Sequence, residues 1–205
     1  MRPDDRLAAA VLRVGGGRGF VINRHAHGDR VVITAAHCLP SLPSPHPAAH
    51  KDELTYRSLL GPLGAKPTVW AECLFADLIA DVAVLGAPEH LDLYERAAEF
   101  ESLVATARPL PIGEAPTQRN INAAECESRV LSLNGRWRKG RVERRSGWLT
   151  FYPVKFFEDG MSGSPIIDMS GKAIGVVSVD IRSPVLVDSL STGLLRSIIP
   201  AGRKI

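Results

Sequence analysis

The sequence is poor in cysteine and aromatic residues, and it contains no long apolar run. Its three cysteines, Cys38, Cys73 and Cys126, are odd in number and far apart. That spacing supports neither a disulfide framework nor a zinc site with paired ligands, and it points to a reducing compartment. No apolar stretch approaches the roughly 20 residues needed to cross a bilayer. The opening stretch, MRPDDRLAAAVLRVGGG, has aspartates where a secretory leader would be basic. No leader and no membrane contact are therefore expected, and the reading is of a soluble, cytoplasmic protein. A strong excess of one charge is missing as well, since the net charge is +3. The one basic segment, RWRKGRVERR from Arg136 to Arg145, follows Asn134-Gly135 and reads as a solvated hairpin. Nucleic acid is not an expected partner, and whether this segment meets a protein is left open. His25 and His27 have no carboxylate or cysteine at ligand spacing nearby, so no metal is expected, nor any organic cofactor.

What is present is a folding composition, 45% hydrophobic and 23% charged, interrupted by 18 glycines and 15 prolines. Short apolar runs bounded by turn residues predict a mostly β chain. AAAVLRV, GFVINRH, RVVITAAH, TVWAECLFA and DVAVLGAP read as strands in the first half. The prolines of LPSLPSPHPAAHKDE exclude regular structure there. EHLDLYERAAEFESLVATA, residues 89–107, lacks glycine and proline and predicts a helix. ESRVLSLNG, GWLTFYPVKFF, SPIIDMSG, KAIGVVSVD and PVLVDSLSTGLL supply the strands of the second half. The chain thus divides near residue 110 into two β-rich domains, 1–109 and 110–205.

Three stretches carry chemistry when read together: VITAAHC with His37, ADVAVL with Asp81, and GMSGSP with Ser162. A serine hydroxyl is a weak nucleophile at neutral pH and needs a base within hydrogen-bond reach, while that base needs a carboxylate to orient it. Histidine and aspartate fit those tasks. Gly160 and Gly163 bracket Ser162 and permit backbone angles that aim amide N–H groups at a developing oxyanion. Asp77, four residues before Asp81, is the competing carboxylate, and the choice between them rests on the family likeness that follows.

With GFVI, VITAAHC, DVAVL and GMSGSP in chain order, the sequence resembles the chymotrypsin-like serine proteases, especially the bacterial branch with the glutamyl endopeptidases and HtrA proteases. The resemblance implies an all-β fold of two six-stranded antiparallel barrels, the active site lying in the cleft between them and a short helical segment joining the halves. It implies Ser162 as nucleophile, His37 as general acid and base, Asp81 as orienting carboxylate, and the Gly160 and Ser162 amides as oxyanion hole. Substrate contacts are implied at Phe156, Ser178, Val179, Asp180 and Gly193, Phe156 lying at the base of the primary pocket. The implied function is peptide-bond hydrolysis in protein or peptide substrates through an acyl-enzyme. The alternative is a catalytically silent or partner-gated module of the same fold, activated or engaged by a protein partner. Met161, where digestive relatives carry an aspartate, excludes switching by a freshly cut N-terminal ammonium. Cys38 finds no upstream cysteine and is expected to be a reduced thiol.

Overall fold

The glycine-rich break after the first apolar run folds the chain back as a hairpin, β1 (Val11–Val14) against β2 (Gly17–Asn23). The computed structural model describes residues 3–24, 29–42, 54–89, 91–113, 124–145, 148–180 and 183–188. In it β3 (Arg30–Thr34), β4 (Thr55–Pro62), β5 (Val69–Asp77) and β6 (Val82–Gly86) complete a closed barrel in the order β1-β2-β3-β6-β5-β4. A second closed barrel contains β7 (Ala124–Leu131), β8 (Trp137–Arg145), β9 (Trp148–Tyr152), β10 (Pro165–Asp168), β11 (Ala173–Asp180) and β12 (Ser183–Asp188). Its order, β7-β8-β9-β12-β11-β10, is the order of the first barrel repeated. Closure removes the free strand edges that would otherwise template aggregation.

The structure departs from the sequence reading at several ends. AAAVLRV is not one strand: a short helix, α1 (Pro3–Ala8), precedes β1. Pro3 at its first turn and Asp4 and Asp5 beside it are helix-start signals, because proline supplies the right φ and carboxylates suit the positive end of the dipole. β4 is a strand that the periodicity did not single out. β9 stops at Tyr152 because Pro153 offers no N–H to continue the ladder, and a single 3₁₀ turn, Val154–Phe156, follows. The predicted helix is α2 (Tyr94–Thr106), which buries Phe100 and Val104. Arg30 donates to the Ala107 carbonyl at 2.9 Å, satisfying an acceptor left over at the end of α2.

Phe20, Ile22, Ile33, Leu60 and Leu85 fill the first barrel, and Leu149, Phe151, Met161 and Ile166 the second. Each fully buried side chain of this kind contributes about 1.5–3 kcal/mol. The first core also takes in Ile167, Ala173 and Val176 of β10 and β11, so apolar packing continues across the seam between barrels. The linker is stitched to both sides. Leu110 N–H donates to Val21 O, and Ala173 N–H to Pro111 O, each at 2.8 Å. Two barrels held this way can present residues from each to one cleft. Among the described residues no helix is long and apolar enough to cross a membrane.

Candidate active site

His37 enters the cleft because β3 ends at Thr34 and a one-turn 3₁₀ helix, Ala36–Cys38, follows at once. Ala36 and Cys38 are buried in that turn, while the imidazole between them is 45% exposed. Asp81 arrives from the opposite direction, at the end of a turn that Asp77 builds: Asp77 Oδ1 accepts from the N–H groups of Ile79 and Ala80, both at 2.9 Å. Asp77 is therefore engaged in its own turn. Asp81 takes a left-handed backbone, φ +51°, a conformation that aspartate tolerates better than most residues.

That conformation aims the Asp81 carboxylate at His37. Oδ1 accepts the His37 backbone N–H at 3.0 Å, and Oδ2 lies 2.7 Å from Nδ1 of the ring. The Ser178 hydroxyl, from the second barrel, also donates to Oδ2. Burial pushes the Asp81 carboxyl up, but hydrogen bonds from the His37 ring, the Ser178 hydroxyl and the His37 amide outweigh it and hold the group below its ordinary value. A carboxylate on Nδ1 assigns the proton to that nitrogen, leaving the Nε2 lone pair to accept another.

Ser162 is the second residue of the later of two consecutive turns. In the first, Met161 N–H donates to Glu158 O at 3.1 Å across Asp159-Gly160; in the second, Ser164 N–H donates to Met161 O at 3.0 Å across Ser162-Gly163. Each turn has a glycine of positive φ in its third position, Gly160 at +89° and Gly163 at +80°, as a type II turn requires. At Gly163 a side chain would also run into the Arg18 carbonyl oxygen, so space and torsion both demand glycine. Gly163 N–H is taken by Val177 O at 2.7 Å, and the Ser162 carbonyl accepts the Arg18 N–H at 2.7 Å. Among the described residues, the Gly160 and Ser162 N–H groups donate to no acceptor, whereas those of Met161, Gly163 and Ser164 are all taken. The two amides on either side of the Met161 residue are thus available to an anionic oxygen.

His37, Leu39, Pro40, Asp159, Gly160 and Ser162 line a single cleft of about 470 Å³ at the junction of the barrels. Cys38 beside it is buried, which pushes its thiol up to about 11, so it is a neutral thiol at physiological pH. All three cysteines are free. Met161 is fully buried in the second core, which accounts for an apolar residue next to the serine.

Of the expected substrate-contact residues, Phe156 lies on the turn after β9 and Ser178, Val179 and Asp180 lie on β11. Phe156 lies in the 3₁₀ turn after β9 and packs against the second core, outside the lining of the cleft that holds His37 and Ser162. Ser178 lies on β11 beside the cleft, but its hydroxyl is committed to Asp81, a bond the sequence reading did not anticipate. Val179 and Asp180 continue β11, with Asp180 opposite Ser183. Gly193 lies outside the described residues, as do His25 and His27. Sequence reasoning also missed Arg18, a buried arginine whose guanidinium donates to carbonyls of the other barrel. The unusual presence of arginine inside an otherwise apolar β-run was the available signal.

A family profile described as a trypsin-like peptidase domain matches residues 17–176, a span that includes His37, Asp81 and Ser162. The chain belongs to the trypsin-like peptidase family. Solved structures agree on its chymotrypsin-like fold. A serine protease of human pathogenic astrovirus superposes with a TM-score of 0.56 at 14% identity, covering 91% of this chain and 92% of that one. The inactive form of the Rv3671c protease gives 0.54 at 20% identity, with 97% and 93% covered. The active form, from M. tuberculosis, gives 0.52 at 18% identity, with 99% and 86% covered. No curated protein sequence matches the chain. For this trypsin-like peptidase, then, likeness to solved structures speaks for the double barrel, and the profile for the peptidase family.

Proposed function

We propose that the protein is a serine endopeptidase whose nucleophile is Ser162, whose general acid and base is His37 and whose orienting carboxylate is Asp81. The observation that carries this is the junction itself: an imidazole with Nδ1 tied to Asp81 shares one cleft with a serine set between two glycines of positive φ. In this mechanism Ser162 Oγ attacks the scissile carbonyl carbon as its proton passes to His37 Nε2, and the carbonyl electrons move onto oxygen. The Gly160 and Ser162 amides receive that negative oxygen; each such donor contributes about 2.7–4 kcal/mol at the transition state. As the C–N bond breaks, His37 gives its proton to the leaving amine and an ester to Ser162 remains. A water, deprotonated by His37, attacks the ester, and the proton returns to Ser162 as the acid product leaves. Asp81 stays ionised throughout and stabilises the imidazolium.

The test is to incubate the purified chain with a proteome-derived peptide library and read new termini by mass spectrometry. Cleavage that vanishes after treatment with a fluorophosphonate is expected. Peptides captured by the protein yet never cut would instead support a silent binding module.

A further inference from the structure

Arg18 lies in β2, the second residue of the strand, and is only 4% exposed. Among the described residues, the hydrogen bonds of its guanidinium all go to the other barrel. Its main chain and its side chain both reach across the seam. The Arg18 N–H donates to the Ser162 carbonyl at 2.7 Å, and the Arg18 carbonyl accepts the Thr34 hydroxyl at 2.7 Å. The guanidinium donates through Nη1 to Leu131 O at 2.7 Å and to Ser132 O at 3.3 Å, and through Nη2 to Ser132 O at 3.3 Å. Those two carbonyls form the base of the β7–β8 hairpin, which Ser132 closes by accepting Gly135 N–H and donating its own N–H to Arg136 O. Just beyond, the Leu133 side chain stands over Gly160.

One residue of the first barrel therefore grips both the peptide of the serine and the hairpin beside the Gly160 turn. A guanidinium presents a rigid fork of donors, which suits two adjacent carbonyls in fixed geometry. Burial of this charge is unfavourable, and here it is met by neutral carbonyl oxygens. Packing alone would be served as well by an apolar side chain of similar length. Burial also lowers the Arg18 pKa, with Arg13 adding to the effect and Glu158 opposing it. The three side chains of the site come from two barrels, and the only described bond between Asp81 and the second barrel runs through the Ser178 hydroxyl. Arg18 supplies a second tie on the serine side.

We propose that Arg18 is a positioning residue: it locks the Ser162 turn and the base of the β7–β8 hairpin to the first barrel, so that nucleophile and oxyanion amides meet His37 in register. The inference rests on the serine peptidase reading. It attributes to Arg18 an effect on the chemical step, because a displacement of about 1 Å at a nucleophile costs about 100-fold while leaving substrate binding largely intact.

The experiment compares wild type, Arg18→Met and Arg18→Lys. Active sites are counted by fluorophosphonate titration, thermal melting reports folding, and kcat and KM are measured on a peptide that the wild type cuts. For Arg18→Met, kcat per titrated site is expected to fall about 10- to 100-fold with KM changed less than about twofold. Arg18→Lys, whose ammonium still reaches one carbonyl, is expected to recover part of the loss. The pH at half-maximal kcat should stay at the wild-type position in both, since the His37–Asp81 pair is untouched. If Arg18→Met does not fold, the kcat of folded Arg18→Lys decides alone, and a wild-type value overturns the inference. A folded Arg18→Met with wild-type kcat per titrated site also overturns it, as does one that has only lost titratable sites, the mark of a purely structural residue. A wild type that neither reacts with the fluorophosphonate nor cuts peptides overturns the peptidase reading, and this inference with it.

Discussion

Ser162→Ala is expected to lower peptide hydrolysis by about 10⁴- to 10⁶-fold while leaving the fold in place. The substitution removes a single oxygen. Everything that shapes the turn is main chain: the bonds from Met161 N–H to Glu158 O, from Ser164 N–H to Met161 O and from Arg18 N–H to Ser162 O all survive it. Gly160 and Gly163 keep their positive φ angles. What disappears is the atom that forms the ester. The remaining rate would reflect the oxyanion amides and substrate binding, which still favour attack by water. The check is kcat on one identified peptide, measured alongside a melting curve that matches the wild type. His37→Ala should fall to about the same level, and combining the two should cost little more, because residues that act as a unit are not additive.

Asp81→Asn is expected to lower kcat by about 10⁴-fold with small effect on KM. An amide is nearly the size of the carboxylate, so the turn after Asp77 and the left-handed residue should persist. The tautomer should not. Oδ2 now receives both the His37 ring and the Ser178 hydroxyl; an amide nitrogen at that place would itself need an acceptor, and would turn the imidazole to offer Nδ1 as lone pair. Nε2 would then carry a proton and could not take one from Ser162. Stability should respond as well, in a definite direction. The Asp81 carboxyl is held below its ordinary value of 3.8 in the folded chain. A group whose pKa is lowered on folding contributes stability that is fully present above its unfolded value and is lost as pH falls through the folded one. Wild type should therefore melt above Asp81→Asn at neutral pH, and the gap should close as pH falls below about 4. A gap that is constant from neutral to acid pH would mean that the carboxylate is not stabilised by its three donors.

The parts of this molecule legible in the sequence are those encoded by near neighbours. The glycines around Ser162, the alanines around His37 and the apolar strand after Asp81 each describe a local backbone, and the chain order of the three stretches pointed to one family. The helix over Tyr94–Thr106 was legible because a run of helix formers needs no distant partner to be recognised. β4 was not, because its burial follows no strict alternation and its register against β5 shifts between Tyr56 and Leu60. α1 was not singled out, because at six residues it is too short for periodicity to show, and only its last residue, Ala8, fell in the run read as a strand, although Pro3, Asp4 and Asp5 mark a helix start. The bonds that Arg18 and Ser178 make were out of reach for a different reason. Their partners, Leu131 and Asp81, stand 113 and 97 residues away, and only closure of two barrels brings them together. The repetition of strand order between the halves is likewise a property of pairing, with no fixed sequence period behind it.

The proposed peptidase requires that His37 and Asp81 of one barrel activate Ser162 of the other. The most direct measurement is to react the purified chain with a fluorophosphonate and locate the adduct by peptide mass spectrometry, in wild type and in His37→Ala. One adduct is expected, on Ser162, formed at least about 100-fold more slowly without the imidazole. No adduct on the folded wild type, an adduct on another residue, or equal labelling of Ser162 without His37 would contradict it.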